Sequence, residues 1–489
     1  MKWFNKLYEK KISATGLSVF RITFFLNLFF EVLHLFKYRH LYFDSIPYIE
    51  LSSANESLFI LIWLVVLVCI VLGLFTRVLT IINYIFCVTI LSSFTDFEYH
   101  MHYVYVGISF IAILLPLSRS FTIQNIFFKE GQREQKVSVL YYYLPVVVGI
   151  AFVYFDSVFH KITSQIWING LGVWFPASLP QITIINDQWL LNQKGFMLFL
   201  GYLTFVFEAL FLFVFWMKKM RIPMFIIGMG LHVGILLEFP IPNFAFGMMT
   251  LYTLMLPVSF WDRLKSKISI FKPREHLYSI KQIFNLDKKS VLMTVFIILT
   301  FFQINVTLQS PFIRPQLYKL IGKIGIEDYF DPVSYPLMNF STKAFGITKH
   351  PVFMDNHFKG YNHILSISYV DNSNGETLLP IINEKGMVGT YLRGSVWVNW
   401  SYRVNSPEVD QTQLKNGLFA YSAYWAHKNN IDLTDAVFKV KVKKIELPNW
   451  KWEEDYLTKQ LHKPWQNAGS VLWKDKKPEL TLIKPIEEF

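Results

Sequence analysis

The chain has 489 residues, of which 53% are hydrophobic and only 17% charged, with a mean hydropathy of +0.33. That is too apolar for a soluble globular protein of ordinary composition and marks a membrane protein. The net charge of +12 does not point to nucleic acid, because the basic residues gather in the loops of one side. Cys69 and Cys87 both sit inside apolar runs, which excludes a disulfide framework and a cysteine-based metal site.

The start of the chain is basic, and the run 16–36 is long enough to cross ~30 Å of hydrocarbon at 1.5 Å per residue. It carries Arg21 and Glu31 and lacks a small-residue cleavage site, so it reads as a retained helix and not a signal peptide. Further apolar runs follow at 58–75, 78–94, 102–117, 139–159, 196–216, 222–238, 246–260 and 290–308. The expectation is a polytopic α-helical membrane protein with about nine transmembrane helices.

Alternate loops test the orientation, since cytoplasmic loops hold the excess of Lys and Arg. One side has Lys2, Lys6, Lys10, Lys11, Arg77, Arg119, Lys129, Arg133, Lys136, Lys218, Lys219 and Arg221, then Arg263, Lys265, Lys267, Lys272, Arg274, Lys281, Lys288 and Lys289. The other has Lys37, Arg39, Lys161 and Lys194. This asymmetry places the N-terminus in the cytoplasm and everything after the ninth span outside.

Beyond Leu308 long apolar runs stop and Asp, Asn, Pro, Gly and His rise. The expected division is therefore a transmembrane domain, 1–308, and an external β-rich domain, 309–489. Alternation at 363–370, 394–404 and 436–445 predicts half-buried strands, arranged as a mostly-β, sandwich-like domain after a short helical connector near 315–325.

Topology turns positions into depths. Arg21 lies ~7 Å inside the cytoplasmic end of the first span and Glu208 ~12 Å inside that of the sixth, which suits an interhelical ion pair. The outer level collects Glu31 and His34, then Glu98, His100 and His102, then Asp156, His160 and Lys161, then His232 and Glu238. Lys161 has two readings. It either snorkels to the interface or, buried among Phe155, Phe159 and Trp167, acts as a base near neutral pH. Asp156 stands four residues before His160 on one helical face and can orient its ring. An imidazole at His232, inside so apolar a run, needs either a structural partner or a task. The 18% aromatic content fits an interfacial belt with core packing or the walls of a cavity for a flat apolar ring such as a quinone. No metal is called for.

Four stretches together resemble the vitamin K-dependent gamma-glutamyl carboxylase family and the bacterial proteins that share its horizontally transferred transmembrane domain. They are Val19, Phe20, Arg21 and Glu31 in the first span; His102 and Gly107 at the start of the fourth; Lys161, Trp167 and Gly170 closing the fifth; and His232 in the seventh. His160 departs from the family, standing where a second lysine or a small residue is expected.

The resemblance implies a definite chemistry. A lysine deprotonates a vitamin K-type quinol or menaquinol, dioxygen adds, and the strong base so formed removes a γ-proton from a peptide glutamate, whose carbanion carbon dioxide captures. By position Lys161 would be catalytic, His102, His232 and Trp167 would bind the quinol, and Arg21 would be structural. Glu31, Glu208 and Asp156 are expected in structural or ion-pair roles. The partners implied are membrane lipid, quinol and an external or secreted glutamate-containing protein or peptide. Two rival readings accompany this one: a non-carboxylating protein for maturation or export of a secreted peptide, and a quinone oxidoreductase.

Overall fold

The computed structural model describes residues 2–123, 136–267, 287–325 and 327–489. Lys129, Arg133, Lys272, Arg274 and Lys281, all used in the charge count, lie outside the described residues.

Five helices are long and apolar enough to cross a membrane: α1 (Thr15–Lys37), α5 (Leu140–Lys161), α6 (Lys194–Val214), α7 (Arg221–Glu238) and α10 (Lys288–Leu308). A sixth crossing arises if the sharply bent pair α8 (Pro242–Thr253) and α9 (Val258–Lys267) is one span. Three expected spans appear as shorter apolar helices, α2 (Glu56–Leu72), α3 (Thr76–Phe86, extended by a π-turn to Leu91) and α4 (His100–Leu114). The chain is a membrane protein rich in helix.

Burial ranks these helices. In α5, 83% of the most apolar stretch is buried, against 17% in α7, so α5 runs through the interior while α7 faces outward. A π-turn at Val147–Ala151 interrupts α5. Such insertions rotate everything beyond them and are frequent at functional sites.

The basic end of the bundle is closed by a two-stranded antiparallel ladder, β1 (Lys11–Ser13) with β2 (Lys136–Ser138). Near that end Arg21, fully buried, donates to the carbonyls of Leu117 at 2.9 Å, Val71 at 3.3 Å and Phe121 at 2.5 Å. The approach needs Gly73 (φ +80°), where a Cβ would lie 2.8 Å from Arg21 Nη1. The Arg21–Glu208 pair expected from depth does not form. Arg21 is taken up by backbone carbonyls, and Glu208 finds another cation.

The helical region does not stop at residue 308. After α10 come α11 (Ile313–Ile321) and α12 (Glu327–Phe345), and α12 packs along α10 and α4. Pro332 and Pro336 inside α12 are what hid it, since proline usually ends a helix. At its far end the Phe345 carbonyl sits over Gly107, where any Cβ would meet it at 2.6 Å.

The remainder of the chain carries one five-stranded antiparallel sheet, in the order β4 (Glu376–Leu378), β3 (His363–Val370), β5 (Asp435–Lys444), β6 (Trp465–Lys474), β7 (Lys477–Leu482). Its core face, with Leu365 opposite Val442 and Ile367 opposite Val440, is covered by the helix α13 (Gln411–Lys428). Trp425 of α13 packs on Tyr369 and Phe438, and Trp473 donates to Ser422. The second layer is thus a helix, where a sandwich was expected. Residues 394–404 also differ from expectation: they are helical, an α-turn at Gly394–Asn399 continuing as a π-turn at Trp400–Val404. Buried positions include Val396, Trp397, Trp400, Ser401 and Val404, and their packing as a helix overrides the β-branched and aromatic content.

This region sits on the bundle end formed by the close of α1 and α7 and the segment after α5. Tyr42 bonds Ser395 at 2.6 Å, Gly394 N–H donates to Pro240 O at 2.7 Å and Trp452 donates to Leu191 O at 3.0 Å.

Arg21→Leu strands several buried carbonyls, and hydrogen bonds to a charged donor contribute ~1.5–3 kcal/mol each. We expect the variant to lose at least about 3 kcal/mol of stability in detergent, read as thermal unfolding, with the Glu208→Gln variant unaffected by whether Arg21 is present.

Candidate active site

Lys161 ends α5 and is only 3% exposed. Its ammonium donates to Glu208 Oε2 on α6 at 2.5 Å and lies 3.9 Å from the centre of the Trp167 ring. Glu208 is 6% exposed. Both groups are almost wholly enclosed by protein. Glu208 stands about 20 Å from the Lys194 end of a helix that rises 1.5 Å per residue, so Lys161 is deep and not at the rim where its place at a helix end had put it.

The reason lies in the segment after α5. Residues 162–193 do not leave the bundle. They fold as three short helices, Gln165–Ile168, Trp174–Ala177 and Gln188–Leu191, with Ile166, Trp174, Phe175 and Leu179 fully buried. The stretch LGVWFPASLPQITII is apolar enough to have signalled this. The cap is fastened from the chain beyond the last span. Asp355 accepts from Ser164 Oγ at 2.6 Å, Gln165 N–H at 2.7 Å and Ile166 N–H at 3.0 Å, and Trp167 Nε1 donates to Phe353 O at 3.0 Å.

Seven residues before Lys161, two helical turns back on the same face, Tyr154 continues the site. Its hydroxyl is 3.0 Å from His232 Nε2 and 2.7 Å from the Tyr252 hydroxyl. Phe207 and Phe211, flanking Glu208 on α6, pack edge-on against the Tyr154 ring. His232 Nδ1 is buried with no hydrogen-bond partner and its ring lies 5.6 Å from Phe244. An unmet buried polar atom of this kind calls for a ligand, an ion or a water. Lys161 with Glu208 and Trp167, and His232 with Tyr154 and Tyr252, are thus two groups, set side by side by Phe207 and Phe211 of α6.

His102 stands elsewhere. Its Nε2 is 3.4 Å from Glu31 Oε1, and Glu31 accepts from Tyr99 at 2.8 Å and Asn243 at 2.9 Å. The His102 Nδ1, like that of His232, is buried with no hydrogen-bond partner, and among the described residues neither histidine has a hydrogen bond, ion pair or ring contact to Lys161.

A third group forms on the opposite face of α5. Asp156, fully buried, accepts from Thr307 Oγ1 at 3.0 Å and from the His350 backbone N–H at 2.7 Å. His160 Nε2 stops 3.4 Å from Asp156, and the His350 ring is 5.4 Å from that of His100. Asp156 therefore joins α5 to α10 and to the lead-in of the sheet region, with His160 beside it. Among the described residues no three His, Cys, Asp or Glu side chains are disposed to hold a metal ion.

Sequence reasoning missed Tyr154, which the seven-residue spacing could have found. It also missed Tyr252, His350 and Asp355, which no local pattern announces. Compared with known proteins, the chain matches no family model, no curated protein and no solved structure.

Two outcomes follow from this geometry. Breaking one partner of a buried ion pair costs ~3–5 kcal/mol because it strands a charge, whereas removing both strands none. Lys161→Met and Glu208→Leu should each destabilise the protein by about that amount, and the double variant by less than either single one, read by thermal unfolding in detergent. The second outcome concerns pH. Burial pushes the His350 imidazole down to about 4 in spite of Asp156, and burial does the same to His363 in β3. A group whose folded pKa lies below its unfolded one takes up its proton only on unfolding, so the folded state loses stability as pH falls from about 6.5 towards about 4. His350→Gln should shallow that decline, and adding His363→Gln should shallow it further.

Proposed function

We propose that the chain is a membrane-embedded, quinol-dependent carboxylase-like enzyme acting on glutamate in an external protein or peptide. The observation that carries this reading is the burial of Lys161 between Glu208 and Trp167. A lysine that merely anchors a helix end sends its ammonium to the interface. This one is held in an apolar interior, where an amine that serves as a base has to be kept.

In this reading Lys161 and Glu208 share a proton across their short contact. With the proton on Glu208, Lys161 is an amine able to take one from a quinol hydroxyl, and the Trp167 ring stabilises the ammonium that results. His232 fits the task of holding a quinol oxygen. With Tyr154 donating to Nε2, the unpartnered Nδ1 carries the ring proton and donates it. Phe207, Phe211 and Phe244 offer aromatic walls. The reduced quinone, a vitamin K hydroquinone or menaquinol, would with dioxygen supply a base strong enough for a γ-carbon proton, and carbon dioxide would add to that carbon. The cap formed by residues 162–193 keeps water from the site, as so strong a base requires. The bundle end covered by the sheet region would face outside, as the charge asymmetry implies. His102, paired with Glu31, would support the helices and not the quinol.

The test supplies reduced quinone, dioxygen, labelled bicarbonate and a glutamate-rich peptide to the reconstituted protein. The wild type should fix label into the peptide, and Lys161→Ala, with folding retained, should fix at least about 100-fold less, the lower range for loss of a positioned base. Full activity in the variant would sink the assignment of the base. Quinol consumption without fixation would make the protein an oxidoreductase, and neither activity would favour the maturation or export reading.

A further inference from the structure

The cap over Lys161 is held by the sheet region at both of its ends. At the start, Asp355 and Phe353 take the bonds from Ser164, Gln165, Ile166 and Trp167. At the close, Asp455 Oδ1 accepts from Asn192 Nδ2 at 2.6 Å, and the Asp455 N–H donates to Asn192 Oδ1 at 2.9 Å. Beside that pair Thr458 N–H donates to Gln188 Oε1 at 2.8 Å and Trp452 Nε1 to Leu191 O at 3.0 Å. Between the ends, Asn169 Nδ2 donates to the Trp450 carbonyl at 3.1 Å.

The backbone at these fastenings is strained. Phe353, Trp450 and Asp455 stand at φ +50°, +53° and +56°, a left-handed region that a bulky side chain enters only where its surroundings hold it. They are three of the ten non-glycine residues at positive φ among the described residues. Each also bonds the cap through its own backbone, Phe353 and Trp450 by the carbonyl and Asp455 by the N–H. Strain of this kind gathers at clamps and switches, and letting go returns it. Rings of the same stretch are wedged into the cap, with Trp450 5.2 Å from Phe175 and Tyr456 5.9 Å from Trp174, which couples one end to the other.

What the fastenings guard is Lys161. The Trp167 ring covers its ammonium at 3.9 Å while the indole N–H is held on the Phe353 carbonyl. On the bundle side the cap closes directly on α6, where a Cβ at Gly201 would lie 2.0 Å from Gly170 O. Lys161 is 3% exposed, so anything that reacts with it has to wait for the cap to move.

We propose that the sheet region works the cap as a gate, a strained clasp with two ends whose release lifts residues 164–192 off Lys161 as one unit. That the gate admits a substrate rests on the reading of Lys161 as a base; that the cap moves as a unit does not.

The test locks the clasp reversibly by Asn192→Cys with Asp455→Cys in the full chain in nanodiscs, so that one sample is compared with itself, oxidised and reduced. The native Cys69 and Cys87 lie on α2 and in the π-turn after α3. Acetic anhydride probes the amines, and Lys451, exposed on the sheet region, is the internal control. Oxidation should cut acetylation of Lys161 about tenfold or more, as for a locally opening segment that is tied shut, and reduction should restore it, with Lys451 unchanged. Deuterium uptake at 164–171, far in sequence from the bridge, should slow with it. Asp355→Ala, or Asp355→Asn should the first fail to fold, should raise Lys161 acetylation at least about tenfold, the least expected when hydrogen bonds to a charged acceptor are lost. It should also speed exchange at 188–192. Lys161 acetylation indifferent to the bridge would overturn the proposal. So would exchange that slows only beside the bridge, or acetylation that appears only when the amides of α5 exchange as well. A chain that gates in this way but fixes no carbon dioxide would fail the carboxylase reading alone.

Discussion

An ammonium and a carboxylate buried together, Lys161 against Glu208 at 2.5 Å, is the contact on which the site and much of its surroundings depend. Two charges can stay in an apolar interior only if each meets the other in good geometry. That requirement ties the Lys161 end of α5 to the middle of α6. It demands a roof, because an open helix end would let water in. The roof is the re-entering segment 162–193, with Trp167 over the ammonium and Asp355 tying the first turn of that segment to the chain beyond the spans.

The polar residues of the interior separate into groups with different jobs. Lys161 and Glu208 lie beside the hydrogen-bonded trio Tyr154, His232 and Tyr252, in which one ring nitrogen is unmet. Glu31 is saturated by Tyr99 and Asn243 beside His102, an arrangement that holds α1, α4 and α8 in place. Asp156 joins α5 to α10 and to the segment at His350. Arg21 serves the opposite end, where loop carbonyls would otherwise be buried without donors. Only the first of these groups pairs an amine with an unmet hydrogen-bonding atom and aromatic walls.

Much of this was legible in the sequence because lipid is an undemanding reader: apolar length and charge asymmetry are one-dimensional signals. The long apolar helices, the ionisable residues worth attention and the strands at 363–370 and 436–445 were visible in that way. What failed was depth. Counting residues from a helix end assumes that the next segment leaves the bundle, and residues 162–193 do not. Lys161 was therefore placed too shallow, and Glu208 was given to Arg21. Two prolines concealed α12, and β-branched and aromatic residues disguised the helical turns at 394–404. Partners such as His350 and Asp355 come from nearly two hundred residues away, and no local pattern could supply them.

The central claim is that the buried lysine serves a carboxylation. Its most direct test is mass spectrometry of the proteins exported by cells carrying this chain or its Lys161→Ala variant. The account predicts glutamate residues heavier by one carbon dioxide in the first case and none in the second. Exported proteins with no such glutamate in either, from cells supplied with quinone and oxygen and with the wild-type chain folded in the membrane, would contradict it.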